Sequence, residues 1–174
     1  MAALRRDEIR RLFELLNAEL ARTGIRGELF VVGGAVMSLS YDARPSTQDV
    51  DAWFRPAAAV RQAARSVAAH ARVSPDWLND GVKAYLSDKG DYAPYLALDN
   101  LTVMVAEPQY LLAMKCLAMR IGPEFHDEDD VRYLLRLLDV RSKEQAFSII
   151  GRYYPLERIP QKTFYALEEL LPKQ

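Results

Sequence analysis

The stretch GGAVMSLSYDARPSTQDVDAWF, Gly33 to Phe54, carries the chemistry of this chain. It opens on two glycines, passes through a short apolar run and a polar turn, and ends in Asp49-Val50-Asp51-Ala52-Trp53-Phe54. The closing run alternates as a strand does, and residues two apart on a strand face the same side. Asp49 and Asp51 are therefore expected to project together. Two bare carboxylates in that position repel each other. A divalent cation relieves the repulsion, and Mg²⁺ (or Mn²⁺) takes carboxylate oxygens together with substrate phosphates. The glycines follow an apolar strand, Glu28–Val32, and precede a helix start over Ala35–Ser40. A backbone without side chains there can approach a phosphate closely, and the helix start adds N–H donors and partial positive charge. Ser46 and Thr47, on the loop before the aspartates, offer hydroxyls to a phosphate oxygen, and Arg44 adds charge.

Outward from this stretch the chain reads as mixed α/β and then helical. Ile9, Leu12, Phe13, Leu16 and Leu20 recur at helical spacing, so residues 6–22 form an amphipathic helix. An alanine-rich helix follows Pro56 to about Ala71. Ser74-Pro75 opens a short helix through Leu78, because Ser caps well and Pro suits the first helical position. Residues 81–98 contain Gly90 and Pro94 and hold at most a short strand. Leu101–Ala106 (LTVMVA) is a clean strand, and Pro108 starts a long apolar helix to about Met119. The pattern is helical from Asp127 onward: one helix over Asp130–Asp139, a second announced by a Ser142/Gln145 capping box, and a third from Pro160 that Pro172 closes. The expected class is α+β, a small mixed sheet flanked by helices over residues 1–106. A helical part over 107–174 would pack on it as one compact domain.

Bulk properties narrow the function. The chain has 174 residues and a net charge of −1, so bulk charge does not drive nucleic-acid binding, and a polyanionic partner must meet a local patch. Arg61, Arg65, Arg72 and Lys83 are candidates for one. The single cysteine, Cys116, excludes an intrachain disulfide and a cysteine-based zinc cluster. No run of 18 or more apolar residues is present, so no membrane span is expected. The charged, amphipathic N-terminus lacks the apolar core of a signal peptide, which makes the cytoplasm the expected compartment. His70 and His126 read as surface or cap residues.

Gly33-Gly34 followed by Thr47-Gln48-Asp49-Val50-Asp51 resembles the glycine-pair and D-x-D signature of the DNA polymerase β-type nucleotidyltransferase superfamily. Leu111-Leu112-Ala113-Met114-Lys115, Arg120 and Asp127-x-x-Asp130-Val131 resemble a downstream segment of its small bacterial branch. That branch includes AbiEii/MenT-type toxin nucleotidyltransferases and a group of uncharacterised nucleotidyltransferases. The Pro75–Asp80 stretch, PDWLND, also resembles the latter group. The resemblance implies that Gly33 and Gly34 shape a phosphate loop and that Thr47 or Ser46 touches the triphosphate. It implies that Asp49 and Asp51 hold Mg²⁺ and that Lys115 reaches the phosphates. Arg120 joins the nucleotide site. Asp127 and Asp130 either orient Lys115 or Arg120 or assist catalysis. The implied reaction moves a nucleotidyl group from a nucleoside triphosphate, ATP or CTP for example, to a hydroxyl on a tRNA 3′ end or a protein, with a cognate antitoxin as a further partner. The superfamily also places a third carboxylate on a later strand. LTVMVA carries none inside it. Asp99 lies two residues before it and Glu107 just after, and Asp99 or Asp127 would have to serve. A catalytically weak nucleotide- or partner-binding module on the same fold is the alternative.

Overall fold

The structure is a computed structural model and describes residues 2–173. It is mixed α/β. The chain divides into two compact units, Met1–Ala84 with Tyr92–Ala106, and Tyr85–Asp91 with Glu107–Gln174.

The first unit begins with strand β1 (Leu4–Arg5), which runs into helix α1 (Arg6–Arg22). The Arg5 amide donates to the Glu8 carboxylate (2.8 Å) and closes the N-terminal turn. Then come β2 (Gly27–Val32), α2 (Gly34–Ser40), β3 (Ser46–Thr47), β4 (Val50–Arg55), α3 (Ala57–Ala71), β5 (Leu78–Asn79), β6 (Tyr92–Ala97) and β7 (Leu101–Ala106). Five strands form one sheet in the order β5-β4-β2-β7-β6. β2 pairs antiparallel with β4 and parallel with β7, so its neighbours run in opposite directions. β1 and β3 form a separate antiparallel pair, Leu4 facing Thr47 and Arg5 facing Ser46.

One face of the sheet carries the core. Leu29 and Val31 on β2, Val50, Ala52 and Phe54 on β4, and Leu101, Val103 and Val105 on β7 are buried there. α1 packs on α3 and β7, and α3 packs on β4. The opposite face carries Phe30, Trp53 and Tyr92, all half-buried. Phe30 and Trp53 are register partners.

Three local expectations change. Ser74 caps only a single turn, through the Asp76 amide (3.2 Å). Trp77 is fully buried and donates its Nε1 to the Ala64 carbonyl (3.0 Å), so the chain straightens into β5 instead of continuing as a helix. Pro94 does not prevent a six-residue β6, because β6 is an edge strand where a missing N–H costs little; the register shifts between Pro94 and Leu96. Ser46 and Thr47 lie not on a free loop but in β3.

The second unit holds α4 (Pro108–Leu117), α5 (Asp127–Leu137), α6 (Lys143–Ile150) and α7 (Gln161–Leu170). α4 packs on α5 and α6, and α5 on α7. α5 starts at Asp127, at the acidic run, and ends before Asp139, whose φ of 52° turns the chain away. Ser142 Oγ accepts from the Gln145 amide (3.2 Å), while the Gln145 side chain accepts from the Arg141 amide (2.7 Å), a capping box displaced by one residue. Segment 85–91 lies against these helices as a strap. The Ser87 amide donates to Tyr110 Oη (2.9 Å), Ser87 Oγ donates to the Tyr153 carbonyl (2.6 Å), and Tyr153 Oη donates to Asp91 (2.6 Å). A Cβ on Gly90 would lie 2.4 Å from the Tyr110 ring, so only glycine fits at that crossing.

Candidate functional site

β2 delivers the chain to Gly33 at the end of the sheet where β4 begins, because the two strands are antiparallel and Val32 faces Asp51. Gly33 has φ 69° and ψ −152°, a conformation open in practice to glycine alone. Asp51 Oδ2 lies 3.2 Å from where a Cβ on Gly33 would stand. At Gly34 the same position is 2.4 Å from Arg44 Nη1 and 3.1 Å from Thr47 Oγ1. An anion, a cation and a hydroxyl therefore converge on two consecutive bare Cα atoms. α2 is only seven residues long. The positive charge at this turn comes chiefly from the Arg44 guanidinium, since a dipole this short contributes little.

Asp49 precedes β4 rather than lying in it. Val50 between the aspartates is fully buried and both aspartates are half-buried, as alternation requires. Thr47 Oγ1 donates to the Asp49 carbonyl (3.2 Å). Thr47 is buried and reaches the glycine turn. Ser46, its neighbour on β3, projects to the other side, as successive strand residues do.

The residue that sequence reasoning missed is Asn79. It faces Asp51 in the β4–β5 register, and its Nδ2 donates to Asp49 Oδ2 (3.0 Å). Its Oδ1 accepts from the Gly81 amide (3.3 Å), which sets the amide's orientation. The only trace in the sequence is the PDWLND stretch, where the expected helix obscures it.

Asp99 is ruled out as a third carboxylate for this site. It is exposed in the turn between β6 and β7. β7 runs parallel to β2 with Leu101 facing Gly27, so Asp99 lies at the opposite end of the sheet from Gly33, about 20 Å away at some 3.3 Å per strand residue.

The second unit holds the other predicted residues in a tight ionic cluster. Lys115 Nζ lies 3.2 Å from Asp127 Oδ1 and 2.7 Å from Asp130 Oδ2. Arg120 donates to Asp127 Oδ2 through its side-chain Nε (2.8 Å) and its backbone amide (3.0 Å), and its guanidinium lies over the Phe125 ring. The side chains of Lys115, Asp127 and Asp130 are 10%, 5% and 3% exposed. Burial pushes the Asp127 carboxyl up, but the Arg120 hydrogen bonds and the Lys115 charge outweigh it and hold the group below its ordinary value. Both carboxylates thus orient Lys115, and Asp127 also orients Arg120.

Of the basic-patch candidates, Arg61 and Lys83 both pair with Asp80 at 2.7 Å, which offsets part of their charge. Cys116 is buried, and its thiol is pushed up to about 12 by that burial. No helix among the described residues is long and apolar enough to cross a membrane. No group of three or more His, Cys, Asp or Glu among the described residues is placed to hold a metal. The chain has no match among protein-family models, curated proteins or solved structures.

Proposed function

We propose that this protein is a minimal nucleotidyltransferase whose working residues lie at the glycine turn of the sheet unit. The observation that carries this reading is the convergence of Asp51, Arg44 and Thr47 on Gly33-Gly34, with Asp49 beside them on Asn79. The donor set fits Mg²⁺ that arrives with its nucleotide. Two hard carboxylates supply only part of an octahedral shell, and phosphate oxygens and water supply the rest. Asp49 and Asp51 would hold the ion, which would neutralise charge developing on the phosphates. Arg44 then binds a phosphate oxygen, Thr47 donates or accepts a further hydrogen bond, and Gly33 and Gly34 keep the approach free of side chains.

The acceptor hydroxyl oxygen attacks the α-phosphorus, the bond to the bridging oxygen breaks, and pyrophosphate leaves with that electron pair. The acceptor proton passes to water. Lys115 has its ammonium held between the Asp127 and Asp130 carboxylates. The acceptor class is an RNA 3′ end, of tRNA for example, or a protein hydroxyl. A toxin role with a cognate antitoxin accords with the resemblance of the motifs. A second reading, nucleotide binding without turnover, is favoured by the position of Asp99.

One assay separates the two. The protein is incubated with each α-labelled nucleoside triphosphate, Mg²⁺, and total RNA or protein, beside Asp51→Asn and Asp49→Asn. Label transfer that both substitutions abolish supports the enzyme. Nucleotide binding without transfer supports the second reading, and no binding removes both.

A further inference from the structure

Asp51 shares its strand and its sheet face with Trp53, two residues on. Trp53 lies flat against Phe30 across the β2–β4 register, ring centroids 3.9 Å apart and planes within 4°. Its Nε1 donates to Tyr92 Oη (3.0 Å), which fixes the tilt of the indole. Arg55, ion-paired to Glu28, places its guanidinium over both rings, 5.4 Å from Phe30 and 5.6 Å from Trp53. These aromatics lie on the face opposite the helix-covered core and are half-buried there. One face of the indole is taken by Phe30. The other is turned away from Phe30, toward the β5 side of β4, where β5 pairs with Val50 and Asp51.

We propose that the face of Trp53 turned away from Phe30 is the stacking platform for the base of the nucleoside triphosphate, an inference that rests on the function proposed above. Two strand residues separate the platform from Asp51, about 7 Å, the reach of a ribose between its phosphate and its base. Stacking accepts any base because every base has a π face. The platform therefore confers affinity for nucleosides over bare phosphates with little choice among the four bases.

The chain reports on this site itself, since its two tryptophans are Trp53 and the fully buried Trp77. With Mg²⁺ present, each of the four nucleoside triphosphates quenches the emission of the wild-type protein saturably, and inorganic tripolyphosphate does not. Trp53→Phe, which leaves only Trp77 to emit, loses the quench. Trp53→Ala, checked for unchanged circular dichroism, binds labelled nucleotide about tenfold more weakly by equilibrium dialysis while its tripolyphosphate affinity is unchanged. Dialysis binding with unquenched emission, or equal nucleotide affinity in Trp53→Ala, overturns the platform and leaves the proposed function standing. Quenching by a single-stranded RNA oligonucleotide but not by nucleotides assigns the face to the acceptor and also overturns it. Failure of wild type to bind any nucleotide overturns the platform and the proposed function together.

Discussion

Gly34 holds its place because a cationic side chain lies where its Cβ would be. In Gly34→Ala the new methyl meets the far end of a flexible arginine, 2.4 Å from Nη1. The clash is with the end of a side chain and not with backbone, so the fold tolerates the change while the proposed phosphate site is disturbed. Stability should fall by no more than about 1 kcal/mol. Nucleotide affinity should fall by roughly ten- to a hundredfold, the worth of one charge-assisted hydrogen bond. Denaturant titration and equilibrium dialysis measure the two separately, and unchanged affinity would remove Arg44 from the site. The glycine pair and the aspartates were legible at this scale, because steric freedom and alternation are written in residue type and spacing. Asn79 was not. Its importance comes from a two-residue strand that forms only because Trp77, two positions earlier, is drawn into the core, and no local pattern encodes that.

At the scale of elements, the α4–α5 pair is joined by a buried ion cluster as well as by apolar packing. Lys115→Met leaves Asp127 and Asp130 facing each other without the ammonium between them. Removing one partner of a buried ion pair costs about 3–5 kcal/mol. A loss below about 1 kcal/mol in urea unfolding of this variant would mean that the cluster contributes little. The same cluster sets an acid limit. The folded Asp127 carboxyl lies below its ordinary value of 3.8. A group depressed in this way stabilises the fold above its unfolded value, and that contribution is lost as pH falls through the folded one. Stability should therefore drop below about pH 4, and Asp127→Asn, less stable at neutral pH, should show a shallower acid decline. Element identity was legible wherever periodicity was long, as in α1, α3 and β7. It failed at 74–79, where a buried tryptophan overrode the capping signal, and was least defined at 92–97, where an edge position accommodates the proline. The β1–β3 pair is too short and too distant in sequence to leave any pattern.

At the scale of the whole molecule, the two units are not two consecutive pieces of chain. The strap, residues 85–91, is encoded between β5 and β6 yet belongs with the helices, while the expected boundary at 106 ignores it. Sequence periodicity cannot show this, because the strap is held by isolated hydrogen bonds at Tyr85, Ser87 and Asp91 with residues up to 69 positions away. Synthesis runs from the N-terminus at a finite pace. The sheet strands through β7 leave the ribosome before any of α4 to α7, while the seven-residue strap emerges early and lacks Tyr110 and Tyr153 until the later helices are made. The order of manufacture thus differs from the order of assembly. A gene cut after codon 106 would strand the strap with the wrong half and leave the severed helices without it.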